Sequence, residues 1–137
     1  MITKWYVAEP NSSSALALRT RFAAPCFLTD LHRLELVTCW QLMVFRKQIS
    51  ASAASQALGD FEADIGAGLW IAAELSATAL SAEALRLSLA YAATLGTRTL
   101  DILHVASARV LGQRPFVTGD RRQAALAQAA GLQVARL

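Results

Sequence analysis

Three acidic residues have surroundings in which a carboxylate can do chemistry. Glu35 lies in a mostly apolar helical stretch, Asp101 lies at a predicted helix start, and Asp120 directly follows the apolar segment 115–118. Each also has an ordinary structural explanation, because Glu35 can pair with an arginine, Asp101 suits the positive end of a helix dipole, and Asp120 is a good N-cap. If the three carboxylates converge, their repulsion needs an offset, which a hard divalent cation provides.

Other chemistries have little support in the sequence. It contains no serine-nucleophile elbow, phosphate loop or dinucleotide-binding motif. His32 and His104 lack ligand spacing, and His104, one helical turn after Asp101, is interpreted as a core or site-supporting residue rather than a base. Cys26 and Cys39 lack zinc or redox spacing, so we expect two buried free thiols, as in a reducing compartment.

Apolar runs and turn residues predict the elements that must position the acids. Short apolar segments predict strands at 26–28, 115–118 and 132–134, while 64–75 is ambiguous between a helix and a short strand at 69–71. Capping residues and glycines predict the helices. We expect these near residues 12–22, 30–47, 50–61, 81–95, 99–111 and 121–130.

The alternation of strands and helices predicts an α/β fold, in one domain over residues 1–137, with a parallel sheet covered by helices. Ligands of such sheets bind where strands end and the following helices begin. This rule selects Asp120, which follows a predicted strand, and does not by itself select Asp101.

Composition limits the classes of function. Of the 137 residues, 55% are hydrophobic and 17% charged, which excludes a disordered chain. The longest apolar run, 65–73, is shorter than the roughly 20 residues of a membrane span, and residues 1–5 do not lead into a secretory signal, so we expect a cytoplasmic protein. The net charge is +3, and residues 98–137 carry six arginines and two aspartates, which is compatible with a phosphate-bearing substrate.

Two segments in combination make the sequence resemble bacterial PIN domains. Residues 95–108 (LGTRTLDILHVASA) resemble the helix that carries that family's third acid, and residues 116–123 (FVTGDRRQ) resemble the strand-to-helix step that follows. Residues 31–36 (LHRLEL) resemble the helix with the conserved glutamate. The resemblance runs from Lys4 to Val134, nearly the whole chain.

The resemblance implies a PIN-like three-layer α/β/α fold and a magnesium- or manganese-dependent endoribonuclease. Many bacterial members are VapC-type toxins of toxin–antitoxin pairs, each neutralised by a small antitoxin, and the family tends to dimerise. Carried over by motif, Glu35, Asp101 and Asp120 are catalytic metal ligands, and Thr118 helps to order the site. The implied mechanism is metal-assisted hydrolysis of an RNA phosphodiester.

The sequence departs from the family at its start. Family members begin with a central strand that ends in a further aspartate, and this sequence matches the family only after that point. We therefore expect a weakened metal site and unpaired strand edges that favour instability or self-association. Two alternatives follow: an inactive PIN remnant that only binds an antitoxin or itself, and an unrelated α/β protein whose acids are helix caps.

Overall fold

The computed structural model describes residues 2–7, 26–113 and 115–136. The protein is mixed α/β and mostly helical, with two small parallel sheets. The chain divides into two compact units, Met1–Ala73 (unit 1) and Glu74–Leu137 (unit 2). The predicted helix at 12–22 lies outside the described residues. No helix in the described ranges has the length and apolar character needed to cross a bilayer.

Unit 1 contains a short 3-10 helix, Ile2–Trp5, and a two-stranded sheet with two helices between its strands. The strands are β1 (Cys26–Leu28) and β2 (Trp70–Ala72), and the helices are α1 (Asp30–Phe45) and α2 (Ala51–Gly66). The strands pair in parallel, with Phe27 opposite Ile71. The predicted strand at 26–28 is confirmed. In the ambiguous stretch 64–75, the first residues complete α2, which ends at Gly66, and β2 follows at Trp70–Ala72.

An aromatic cluster forms the core of unit 1. Trp40 of α1, Phe61 of α2 and Trp70 of β2 are almost fully buried, and the rings of Trp40 and Phe61 meet edge to face at 6.0 Å. The Tyr6 hydroxyl donates to Asp64 at 2.7 Å and accepts from the indole of Trp70 at 2.9 Å. These contacts fix the chain after the 3-10 helix to α2 and β2. Cys26 and Cys39 are half-buried and neither forms a disulfide.

Unit 2 begins with a long helical stretch. It comprises α3 (Ala77–Leu87), a π-helical segment (Ser88–Ala92) and a final turn, α4 (Ala93–Leu95). The predicted start at Ser81 is wrong, because Ser76 accepts a hydrogen bond from the Ala79 amide and starts the helix one turn earlier. The predicted stop at Gly96 is confirmed by its left-handed φ of 62°, which glycine adopts without strain.

The rest of unit 2 is a helix followed by a β-α-β segment. It contains α5 (Thr99–Val110), β3 (Pro115–Thr118), α6 (Arg121–Ala129) and β4 (Gln133–Arg136). Strands β3 and β4 pair in parallel, as the sequence predicts, and the structure places Phe116 opposite Val134. The core of unit 2 is aliphatic, and Leu87, Val105 and Leu126 are completely buried. This core fixes α5 and α6, which carry two of the predicted site residues.

Candidate functional site

Asp101 lies in the first turn of α5, and its side chain bonds back to the backbone at the start of the helix. Its Oδ2 atom accepts a hydrogen bond from the backbone N–H of Arg98, the residue at the N-cap position, at 3.0 Å. A carboxylate here also interacts favourably with the positive end of the helix dipole. The side chain is half-buried. Oδ1, the other carboxylate oxygen, takes no part in this bond.

Asp120 is the N-cap of α6, as expected from its position after β3. Its Oδ1 atom accepts from the backbone N–H groups of Arg122, at 2.7 Å, and Gln123, at 3.1 Å. The Gln123 bond is the main cause that lowers the pKa of Asp120; the Arg122 bond and the positive charges of Arg122 and Arg98 add to it. Asp120 is therefore ionised at neutral pH, and its Oδ2 atom lies outside both capping bonds.

Thr118 is buried at the end of β3 and holds the loop in front of Asp120. Its hydroxyl donates to Oε1 of Gln123 at 2.6 Å and accepts from the backbone N–H of Asp120 at 3.1 Å. The backbone of Asp120 and the side chain of Gln123 are thereby fixed to one buried oxygen. This geometry gives a physical basis for the ordering role that the resemblance implies for Thr118.

The two aspartates lie at the same side of unit 2. Helices α5 and α6 pack through the shared aliphatic core, and Arg109 near the end of α5 donates to the carbonyl of Ala130 at the end of α6. At the opposite ends, the charge of Arg98 acts on Asp120. The helices therefore run in the same general direction, and their two N-terminal ends, each with one aspartate, are adjacent.

Glu35 lies in unit 1, on α1, and is half-buried. On the same helix, Arg33 pairs with Glu62 of α2 at 2.6 Å. His104 is half-buried on α5. Within the ranges 2–7, 26–113 and 115–136, no group of three or more His, Cys, Asp or Glu residues forms a potential metal site. Convergence of Glu35 with Asp101 and Asp120 therefore stays a prediction.

The sequence predicts Thr99 or Arg98 as the start of α5, but it indicates no site role for Arg98 or Gln123. Arg98 stands three residues before Asp101, the spacing of a capping box, and this spacing was the available signal. Gln123 lies in the resembling segment 116–123, but its bond to Thr118 depends on the turn between β3 and α6. Neither residue is identifiable from residue type alone.

A second polar cluster in unit 2 joins helices away from the two aspartates. Glu83 of α3 accepts two hydrogen bonds from Arg86, at 2.7 and 2.8 Å, and a third from Arg109 of α5. The pKa of Glu83 falls to about 2, chiefly because of the Arg86 bond, with Arg109 adding to the effect. Every acid and base in this cluster has a partner, which indicates a structural rather than a catalytic role.

Comparison with known proteins adds no further assignment. No protein-family model matches the chain, and the search of curated proteins gives no match.

Proposed function

We propose that the protein is a metal-dependent endoribonuclease of the PIN type, with Asp101 and Asp120 as the acids that unit 2 contributes. One observation carries the proposal: the two aspartates stand at adjacent helix starts, each with a carboxylate oxygen outside its capping bonds. Helix caps alone do not require an acid at either helix start, because each helix could be capped by a neutral serine or threonine.

The donor set fits magnesium or manganese. Magnesium in phosphate chemistry is often held by one or two carboxylates together with waters and substrate phosphates. When bound, such an ion would neutralise charge on the phosphate and activate a water. The protein's own residues prepare this site: Thr118 orients Asp120, the low pKa keeps Asp120 ionised, and Glu35 is proposed as a third ligand.

The remaining parts of the proposal rest on the sequence resemblance. They are a PIN-like three-layer fold, RNA as substrate, a small antitoxin protein as partner, a homodimer and a cytoplasmic location. The mixed α/β architecture and the parallel pairing of both sheets support the first of these.

An RNA cleavage assay tests the proposed activity. The purified chain, incubated with transfer, ribosomal and messenger RNA, should cleave at least one of them with Mg²⁺ or Mn²⁺ and none with EDTA. Asp101→Asn, Asp120→Asn and Glu35→Gln should each reduce cleavage by about 100-fold or more, since each removes a charged ligand. Cleavage that persists in EDTA, or equally in all three variants, would contradict the proposal.

A binding-only role is the second candidate. It is favoured by the observation that both aspartates already act as helix caps, so their presence has a structural explanation. In that case the chain binds neither Mn²⁺ nor RNA, while it still binds an antitoxin or a second copy of itself. Calorimetric titration of the purified chain with Mn²⁺ separates the two candidates, because only the nuclease requires metal affinity that Asp120→Asn abolishes.

A further inference from the structure

Helix α1 is apolar on two opposite sides. Its buried side, formed by Leu36, Trp40 and Met43, packs in the core of unit 1. On the other side of the helix, Leu34 is 64% exposed and Phe45 is 82% exposed. A surface helix that covers a single core usually carries polar and charged residues on its outer side. The second apolar side of α1 therefore indicates a further contact.

The outer side of α1 contains a row of exposed residues with a regular pattern. The row has five members at a spacing of four residues, it ends at the C-cap of the helix, and every member is exposed. We call these residues the α1 ridge: Asp30, Leu34, Thr38, Leu42 and Arg46. When the ridge is read in the opposite direction, the leucines keep their places and the acid and the base exchange places. The small residue Thr38 lies at the centre.

This order makes the ridge complementary to itself. Rows of residues four apart form the ridges that interdigitate in the commonest class of helix packing. If two copies of the ridge pack antiparallel, Leu34 of one copy lies beside Leu42 of the other. The Asp30 end of one copy then lies beside the Arg46 end of the other, and the two Thr38 residues lie at the twofold axis. Such reciprocal contacts are what an isologous dimer requires.

The charges at the two ends of the ridge favour this arrangement. Neither Asp30 nor Arg46 takes part in an ion pair within the part of the chain that the structure describes. Lys47, which is also exposed, adds a second positive charge at the Arg46 end. An antiparallel copy brings each acidic end to a basic end, whereas a parallel copy would bring like charges together. The charge pattern therefore fits an antiparallel second copy of the same helix.

We propose that the α1 ridge, with Phe45 beside it, is the surface through which two copies of this chain associate, antiparallel and centred on Thr38. The inference rests on the homodimer of the proposed function and assigns a surface to it, and it requires neither metal nor RNA. A single pair of helices buries less than the roughly 800 Å² per partner of a standard interface. We therefore expect a dimer that dissociates on dilution.

Sedimentation velocity of the full chain, over a wide range of protein concentrations, measures the dissociation constant of this dimer. Leu34→Gln should raise the constant by about 10-fold or more, because the twofold symmetry removes two leucines from each dimer. Leu85→Gln is the matched control, since Leu85 is 62% exposed on α3 in unit 2. It should leave the dissociation constant unchanged. Equal weakening of the dimer by both variants would overturn the proposed surface.

An exchange of charges tests the antiparallel arrangement. Asp30→Lys and Arg46→Glu should each raise the dissociation constant by about 3- to 10-fold, since each places like charges together at both ends of the ridge. The double variant restores opposite charges, so its dissociation constant should return close to that of the wild type. Damage to α1 by the single substitutions would instead add up in the double variant. Thermal melts of all three variants measure such damage independently.

The outcomes separate this inference from the proposed nuclease. A wild type that cleaves RNA but stays monomeric would overturn the inference alone, and the ridge would then be covered by residues 8–25 or by a different protein. A dimer that none of these substitutions weakens would also overturn it, because the copies would then meet elsewhere, for example at strand edges. A chain that dimerises through the ridge but cleaves no RNA would support the inference and contradict the nuclease.

Discussion

At the residue scale, each aspartate of the candidate site uses only part of its carboxylate for the fold. Asp101 and Asp120 each use one oxygen to satisfy backbone N–H groups at a helix start, which leaves the other oxygen outside those bonds. In Glu83, by contrast, neither carboxylate oxygen is left outside such bonds. Arg86 and Arg109 surround the carboxylate, and it is mostly shielded from solvent. The hydrogen bonds made by each carboxylate therefore separate a candidate ligand from a structural acid.

The Glu83 cluster predicts a pH dependence of stability. The pKa of Glu83 is lowered from 4.5 to about 2, mainly by Arg86. A lowered pKa in the folded state stabilises the protein above the unfolded value, and this contribution is lost as the pH falls from about 5 towards 2. We therefore expect the melting temperature of Glu83→Gln to be lower than that of the wild type at neutral pH and to fall less steeply over this acid range.

Glu62→Gln is the matched control for this measurement. Glu62 also pairs with an arginine, but its side chain and that of Arg33 are exposed, so solvent screens the pair. The melting temperature of this variant should fall over the same acid range as steeply as that of the wild type. If the melting temperature of Glu83→Gln fell as steeply with pH as that of the wild type, the cluster would not stabilise unit 2 through the charge of Glu83.

At the scale of elements, the sequence predicts the described strands and most helix starts closely, and it places one helix start wrongly. The strands at 26–28 and 115–118 appear where the apolar runs between turn residues predict them. The start of α3 is wrong, because Ser76 and Ser81 are equally good caps by type and the alanine-rich sequence between them has no apolar pattern to choose one. Helix α2 continues past Phe61 to Gly66, since tertiary packing outweighs the low helix propensity of glycine.

The candidate site is predictable only in part, because it also depends on tertiary packing. Asp120 follows from the rule for strand ends, and Asp101 from its helix-start sequence and the family resemblance. Their adjacency depends on how α5 packs against α6 around Val105 and Leu126, which lie 21 positions apart in the printed sequence.

Two substitutions of Asp120, at the start of α6, distinguish its capping role from the role of its negative charge. Asparagine is as good an N-cap as aspartate, so Asp120→Asn should change the free energy of unfolding only slightly, whereas Asp120→Ala should cost about 1 kcal/mol. Both variants should lose Mn²⁺ affinity, since both lose the carboxylate. Urea unfolding and Mn²⁺ calorimetry measure the two effects separately. Mn²⁺ affinity in Asp120→Asn equal to that of the wild type would remove Asp120 from the proposed metal site.

At the scale of the whole molecule, the chain has two cores of different character. Unit 1 is built on aromatic residues, with Trp40, Phe61 and Trp70 in contact, and unit 2 on aliphatic residues around Leu87 and Leu126. Each unit also holds its own pair of parallel strands. The sequence predicts one domain over residues 1–137, because no linker divides the chain, and composition does not reveal that buried residues sort into two clusters.

The separate cores predict local rather than global effects of mild core substitutions. Phe61→Leu and Leu126→Val each remove buried volume at a fully buried position and should cost about 1 kcal/mol. If each core supports its own cooperative unit, Phe61→Leu should speed amide exchange about fivefold in the helices of unit 1 and leave α5 and α6 unchanged. Leu126→Val should do the reverse. Hydrogen exchange followed by mass spectrometry measures both units in one experiment. Equal acceleration in both units by either variant would show instead that the chain unfolds as the single domain expected from its sequence.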